Sequence, residues 1–218
     1  MVYQKTRSMN TTKYNVEVEI VQGDIVEQND MEAVVNAANA ELAPGGGVAG
    51  AIHAKAGKGL EKETRQYAPI KSGQAVITDA HGLPNKRVIH TLGPVFGQDE
   101  PADKLLAECY RNSLRIAQDE GIESIAFPAI STGAFGYPID EAAEIAIRTI
   151  RDELEGMKNV KRIRIVVNSR QDKDVFDTKF EEIMGVKAQD RDVKDEPGFT
   201  QVTPQYNRSF TEGKDNIN

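Results

Sequence analysis

The stretch Ala33-Val34-Val35-Asn36-Ala37-Ala38-Asn39, followed by Gly45-Gly46-Gly47-Val48-Ala49-Gly50 and a small-residue run to Ala56, decides how this chain reads. The apolar run at residues 33–35 suits a buried strand. Residues 48–56 predict a helix entered directly from the glycines. Strand, glycine loop and helix in that order make the repeating unit of an α/β fold, whose ligands sit at the carboxyl ends of strands. Consecutive glycines let backbone approach a ligand closely and take positive φ. The first N–H groups of the following helix point outward and favour an anion. Asn36 and Asn39 offer neutral donors and acceptors suited to ribose hydroxyls. A glycine triplet alone is a plain flexible turn, but its place between strand and helix favours a phosphate site.

Gly45, Gly47 and Gly50 also satisfy G-x-G-x-x-G. A dinucleotide fingerprint needs a tight turn from the strand and an acidic residue about 20 positions on. Here residues 39–44 intervene, and the later region offers Pro69-Ile70-Lys71. No Gly-Lys-Ser/Thr follows, so the loop is not a P-loop either.

Outward from this unit, strands and helices alternate. Residues 14–21 alternate Val16, Val18 and Ile20 against Glu17 and Glu19, which predicts a strand with one wet face. Residues 60–67 predict an exposed helix, 74–78 and 87–91 two strands joined by a turn around Gly82, Pro84 and Asn85. Amphipathic helices are expected at 102–120 and 139–154, strands at 124–128 and 162–167, and a last helix at 174–183. The polar segment 1–13 reads as a loose arm. Residues 187–218 are charged, rich in turn formers and without period, so they read as a disordered tail beyond a domain at 14–186.

Composition narrows the partners. The net charge of −7 argues against a DNA or RNA binder. It leaves room for a small anion held by main-chain donors. One cysteine, Cys109, excludes a disulfide framework and reads as a small core residue. No run approaches a membrane span and no secretory leader is evident, so a cytoplasmic protein is expected. His53, His81 and His90 have no zinc spacing. His53 reads as a structural, hydrogen-bonded residue. No metal and no cofactor are expected, and with no large apolar stripe left over the chain is expected to be monomeric.

Two further loops follow strands. Pro128-Ala129-Ile130-Ser131-Thr132-Gly133-Ala134-Phe135-Gly136-Tyr137 can form a second anion cradle facing the first. Gln22-Gly23-Asp24-Ile25 carries an acceptor-only carboxylate that can take an N–H from a base, although on position alone Asp24 reads as a turn or capping residue.

Taken together, the three loops resemble those of the macro domain family, which binds ADP-ribose. The resemblance is carried by Gln22-Gly23-Asp24-Ile25, residues 34–39, Gly45-Gly46-Gly47-Val48, Ala51-Ile52-His53, His90-Thr91-Leu92-Gly93-Pro94 and residues 125–133, in order across about 16–183. It implies a three-layer α/β/α sandwich with a mixed central sheet. It implies that Asp24, with the backbone of Ile25, meets the adenine amino group, and that Asn39, supported by Asn36, meets the distal ribose. Gly45, Gly46, Gly47 and Val48 would face one side of the pyrophosphate. Ser131, Thr132, Gly133, Ala134 and Phe135 would face the other, with Phe135 against the distal ribose. The activities implied are binding of ADP-ribose, free or on mono-ADP-ribosylated proteins, and hydrolysis of ADP-ribosyl or O-acetyl-ADP-ribose esters, with Asn39 positioning the water. The alternative is a non-catalytic reader of ADP-ribose. Two departures bear on this choice. Ala49 stands where hydrolytic members often carry Asp, and Asn168, beside Arg170, stands at the strand end where many members stack an aromatic ring on adenine.

Overall fold

The computed structural model describes residues 6–11, 14–185 and 189–191. Its elements run β1 (Thr6–Thr11), β2 (Val16–Gln22), β3 (Ala33–Ala37), α1 (Gly47–Ala56), α2 (Lys58–Thr64), β4 (Ala75–Asp79), β5 (Arg87–Thr91), α3 (Ala102–Asp119), β6 (Ser124–Pro128), α4 (Ile139–Glu153), β7 (Arg162–Val167), α5 (Arg170–Met184) and β8 (Gln189–Arg191). One sheet takes the strands in the order β4-β5-β3-β6-β7-β2-β1-β8. The five central strands are parallel. The flanking pairs β4–β5, β1–β2 and β1–β8 are antiparallel. The sheet is therefore mixed, as expected.

Successive strand residues point to opposite faces, and the core divides accordingly. Val34, Val88, Ala126 and Val166 pack with Ile52 and Ala56 of α1 and Leu60 of α2. Val35, Ile89, Phe127 and Ile165 pack with α3, α4 and α5 through Leu106, Tyr110, Ala146, Ile150, Phe176 and Phe180. Helices thus cover both faces, which completes the α/β/α sandwich. Among the described residues no helix is long and apolar enough to cross a membrane.

Three local expectations change. The wet face of β2 is not wet at Glu19, which is 6 % exposed. Arg164 on the adjacent β7 takes it as an ion pair at 2.7 Å, the condition under which a carboxylate tolerates burial. The last helix starts four residues early, at Arg170, because the Ser169 hydroxyl accepts from the Asp172 N–H and caps it. Finally, Thr6–Thr11 and Gln189–Arg191, from the segments expected outside the domain, add β1 and β8 through main-chain pairing. The segment TRSMNT has no apolar alternation to announce a strand. The rest of 1–13 and 187–218 lies outside the described residues.

Candidate functional site

The carboxyl ends of β3 and β6 are adjacent in the sheet, and the two glycine-bearing loops rise from them. Between the loops is a cleft of about 290 Å³. One wall is Asn39, Gly45, Gly46, Gly47, Val48 and Ala49; the other is Ser131, Gly133, Ala134 and Phe135. The floor is Ala37, Ala38, Gly93, Ala129 and Ile130. Among the described residues no carboxylate, imidazole, ammonium or guanidinium lines it. An anion here meets main-chain N–H groups, with Asn39 and Ser131 as the polar side chains beside them.

The first wall is shaped by close backbone approach. Gly46 stands at the N-cap of α1 with no side-chain cap, so the leading N–H groups of the helix open into the cleft. Of the three consecutive glycines only Gly47 has positive φ, at 56°. Gly50 is required for a different reason: a Cβ there would collide with the Gly45 carbonyl oxygen. Asn39 fixes the start of the loop. Its Nδ2 donates to the Ala43 carbonyl at 2.9 Å and its Oδ1 accepts from the Ala43 N–H at 3.1 Å. One N–H and one lone pair of the amide remain for a ligand.

The second wall is a strained turn. Ser131 has φ of 66°, uncommon for a residue with a side chain, and its buried Oγ makes no hydrogen bond among the described residues. The conformation is held by the Tyr137 N–H on the Ser131 carbonyl at 3.0 Å and the Gly136 N–H on the Gly133 carbonyl at 3.0 Å. Gly93 packs against it from the loop after β5. A Cβ on Gly93 would strike the Ser131 Oγ and lie 2.7 Å from Ile130 Cγ2. Gly93 lies in the segment His90-Thr91-Leu92-Gly93-Pro94 that carries the family resemblance, but the sequence assigns it no contact; its place against Ser131 appears only in the fold.

Not every expected residue reaches the cleft. Thr132 turns away and donates its hydroxyl to the Ala129 carbonyl at 2.9 Å. Asn36 lies beneath the floor, fully buried, with its Nδ2 on His90 Nδ1 at 3.0 Å. Its side chain is thus turned to the layer beneath, since residues 36 and 37 of a strand face opposite ways and Ala37 takes the cleft side, while Asn39 is bonded to Ala43. His90 Nε2 meets Thr78 Oγ1 at 2.9 Å, and that hydroxyl donates to the Asp79 carbonyl. The chain of donors makes His90 neutral, protonated on Nε2. Burial, with the neighbouring His53, drives its pKa down to about 3. His53 on α1, 6.5 Å away ring to ring, has neither ring nitrogen hydrogen-bonded among the described residues, against the expectation of a bonded role. Burial lowers its pKa as well.

Asp24, Ile25 and Asn168 lie elsewhere on the same edge of the sheet. Asp24 is exposed, and its Oδ1 accepts from the Val26 N–H at 3.1 Å, capping a short turn at Ile25–Glu27. Ile25 is buried. Asn168 is exposed; its carbonyl accepts from Gln22 Nε2 at 3.2 Å, which ties the end of β7 to the end of β2. Arg170 is committed to Asp174 at 3.0 Å within α5. No group of three or more potential metal ligands occurs among the described residues.

Comparison with known proteins agrees with this architecture. The macro domain family model matches residues 35–146. A macro domain-containing protein of Caldanaerobacter subterraneus subsp. tengcongensis is 42 % identical over 76 % of this chain and 97 % of its own length. The O-acetyl-ADP-ribose deacetylase of Escherichia fergusonii is 50 % identical over 62 % of this chain and 78 % of its own. Among solved structures, a glycine-to-valine variant of the Oceanobacillus iheyensis macrodomain, with ADP-ribose bound, superposes with a TM-score of 0.78 at 35 % identity, covering 83 % of this chain and 100 % of that one. The chain belongs to the macro domain family.

Proposed function

We propose that this protein binds ADP-ribose, free or attached to a mono-ADP-ribosylated protein, in the cleft between residues 45–49 and 131–135. One observation carries the reading: an uncharged, main-chain-lined cleft lies two strands away from an exposed carboxylate. Strands β6, β7 and β2 are neighbours. The Asp24 turn therefore sits two strand spacings, roughly 10 Å, from the Ser131 loop. A ligand that fills both places is an extended diphosphate with a base at one end. The diphosphate meets the N–H groups of Gly46, Gly47 and Val48, and the base amino group meets Asp24. The bound state of a family relative supports the same choice. Calorimetry with ADP-ribose tests it: exothermic binding with one site is expected, and no heat at millimolar ligand would overturn it.

The reaction that fits this site is hydrolysis of ADP-ribosyl or O-acetyl-ADP-ribose esters. The named activity of one relative supports it. With Ala49 in the wall and no carboxylate beside it, the side chain available to the water is Asn39. Catalysis would then be positioning of water between Asn39 and a ligand phosphate rather than proton transfer to a protein base. The same absence favours a second reading, a non-catalytic reader. Incubation with a mono-ADP-ribosylated protein separates them. Release of ADP-ribose that is lost in Asn39→Ala supports hydrolysis; tight binding without release supports the reader. We place the protein in the cytoplasm, as a monomer, in keeping with its acidic charge and single buried cysteine.

A further inference from the structure

The Asp24 turn is held from behind by a chain of side chains that never enters the cleft. Gln28 is 7 % exposed. Its Nε2 donates to the Asp24 carbonyl at 2.6 Å, and its Oε1 accepts from Arg164 Nη1 at 2.8 Å. Arg164, on β7, is itself fixed. Its Nη1 and Nη2 donate to the two carboxylate oxygens of Asp30 at 2.7 and 2.8 Å, and its Nε donates to Glu19 Oε1 at 2.7 Å. The main chain of Gln28 is pinned separately by Asn85, whose Nδ2 donates to the Gln28 carbonyl at 2.8 Å and to the Met31 carbonyl at 2.7 Å. On the other side, the Gly23 N–H donates to the Val167 carbonyl at 3.0 Å. The turn is thus clamped between β7 and its own anchor, and Gln28 is the side chain that joins Asp24 to the guanidinium.

We propose that Gln28 is a positioning residue for base recognition: it locks the Asp24 turn to Arg164 and so sets where the Asp24 carboxylate meets the base of the bound nucleotide. The proposal rests on the assignment of Asp24 to the base made above. The residue type matters. A side-chain amide of this length supplies a donor toward the Asp24 carbonyl and an acceptor toward the Arg164 guanidinium at once. A glutamate keeps the second bond and loses the first, and a methionine of similar length loses both.

The test compares wild type, Gln28→Glu, Gln28→Met and Asp24→Ala. Each is titrated with ADP-ribose, with its hypoxanthine counterpart, and with ribose 5-phosphate, which has no base. Hypoxanthine presents a carbonyl where adenine presents an amino group, so the ratio of the first two affinities reads the Asp24 contact. Both Gln28 variants are expected to weaken ADP-ribose about tenfold, the scale of one hydrogen bond to a charged group. They are also expected to lower the adenine preference toward that of Asp24→Ala, with ribose 5-phosphate affinity unchanged. Gln28→Glu retains the Arg164 contact, so it reads the Asp24 bond even if Gln28→Met folds poorly. If Gln28 only stabilised the fold, all three ligands would weaken together and the preference would survive; that result overturns the proposal. If Asp24→Ala erases the preference and the Gln28 variants keep it, the proposal alone falls. If Asp24→Ala also keeps it, the assignment of Asp24 to the base falls too.

Discussion

The two ends of the site are built from different materials. The cleft at β3 and β6 is neutral: its donors are main-chain N–H groups and its supporting layer is the uncharged Asn36–His90–Thr78 chain. Two strands away, the Asp24 turn rests on an ion-pair cluster, Arg164 with Glu19 and Asp30. The difference follows from what each end must recognise. A diphosphate spreads its charge over several similar oxygens and is met by backbone dipoles that need no side-chain ordering. A base has one distinctive edge, and a single carboxylate can read it only if its position is fixed. Main chain is fixed by the fold itself; a side chain on a surface turn needs its own scaffold.

The largest loss is expected at Gly93. Replacing it by valine inserts a branched side chain where even a Cβ meets Ser131 and Ile130. Binding of ADP-ribose is expected to fall below calorimetric detection. The melting point should drop by an amount corresponding to about 1–3 kcal/mol of overpacking. Wild-type affinity in Gly93→Val would show that the Ser131 turn is not shaped by this contact.

Acid separates the two ends. His90 has its pKa lowered to about 3 by burial and by His53, so between the ordinary value of 6.5 and about 3 the unfolded chain takes up a proton that the folded one refuses. Stability should therefore fall as pH drops through that window, by about 1.4 kcal/mol per unit for this one group. Asp30 behaves otherwise. Burial alone would raise its carboxyl, but the hydrogen bond and charge of Arg164 win and hold it below the ordinary 3.8. Its stabilisation is present above the unfolded value and is lost only as pH falls through the folded one. Urea unfolding at pH 7 and pH 5 should show the slope of the first window, reduced by one proton in His90→Asn. An unchanged slope would mean that His90 carries a proton in the fold.

The smallest effect is expected at Arg170. Its side chain is 75 % exposed and paired with Asp174 one turn along α5. Arg170→Ala should change stability by less than about 0.5 kcal/mol and leave ADP-ribose affinity unaltered. A clear affinity loss on titration would instead place this guanidinium on the base.

Much of this was legible in the residues. The 4- and 3-residue spacing of Leu106, Tyr110, Leu114 and Ala117 gave α3 its buried face, and the strand–glycine–helix order around Gly45 located the first wall. What stayed hidden depends on partners distant in sequence. Glu19 looked exposed because its partner, Arg164, is 145 positions away. Asn36 was expected to support Asn39 only from the family resemblance; the fold instead turns Asn36 to His90 beneath the sheet. Thr132 looked like its neighbour Ser131, but the turn sends one hydroxyl to Ala129 and the other toward Gly93. The roles of Gly93 and Gln28 were hidden for the same reason: each acts through contacts made only in three dimensions.

A cleft without cations has an unusual relation to salt. Where lysines and arginines hold a phosphate, added electrolyte weakens the attraction. Here the donors are short-range dipoles, and the long-range field belongs to a chain of net charge −7 approached by an anion. Electrolyte screens that repulsion and leaves the dipoles nearly untouched, so moderate ionic strength should speed the ligand's arrival rather than slow it.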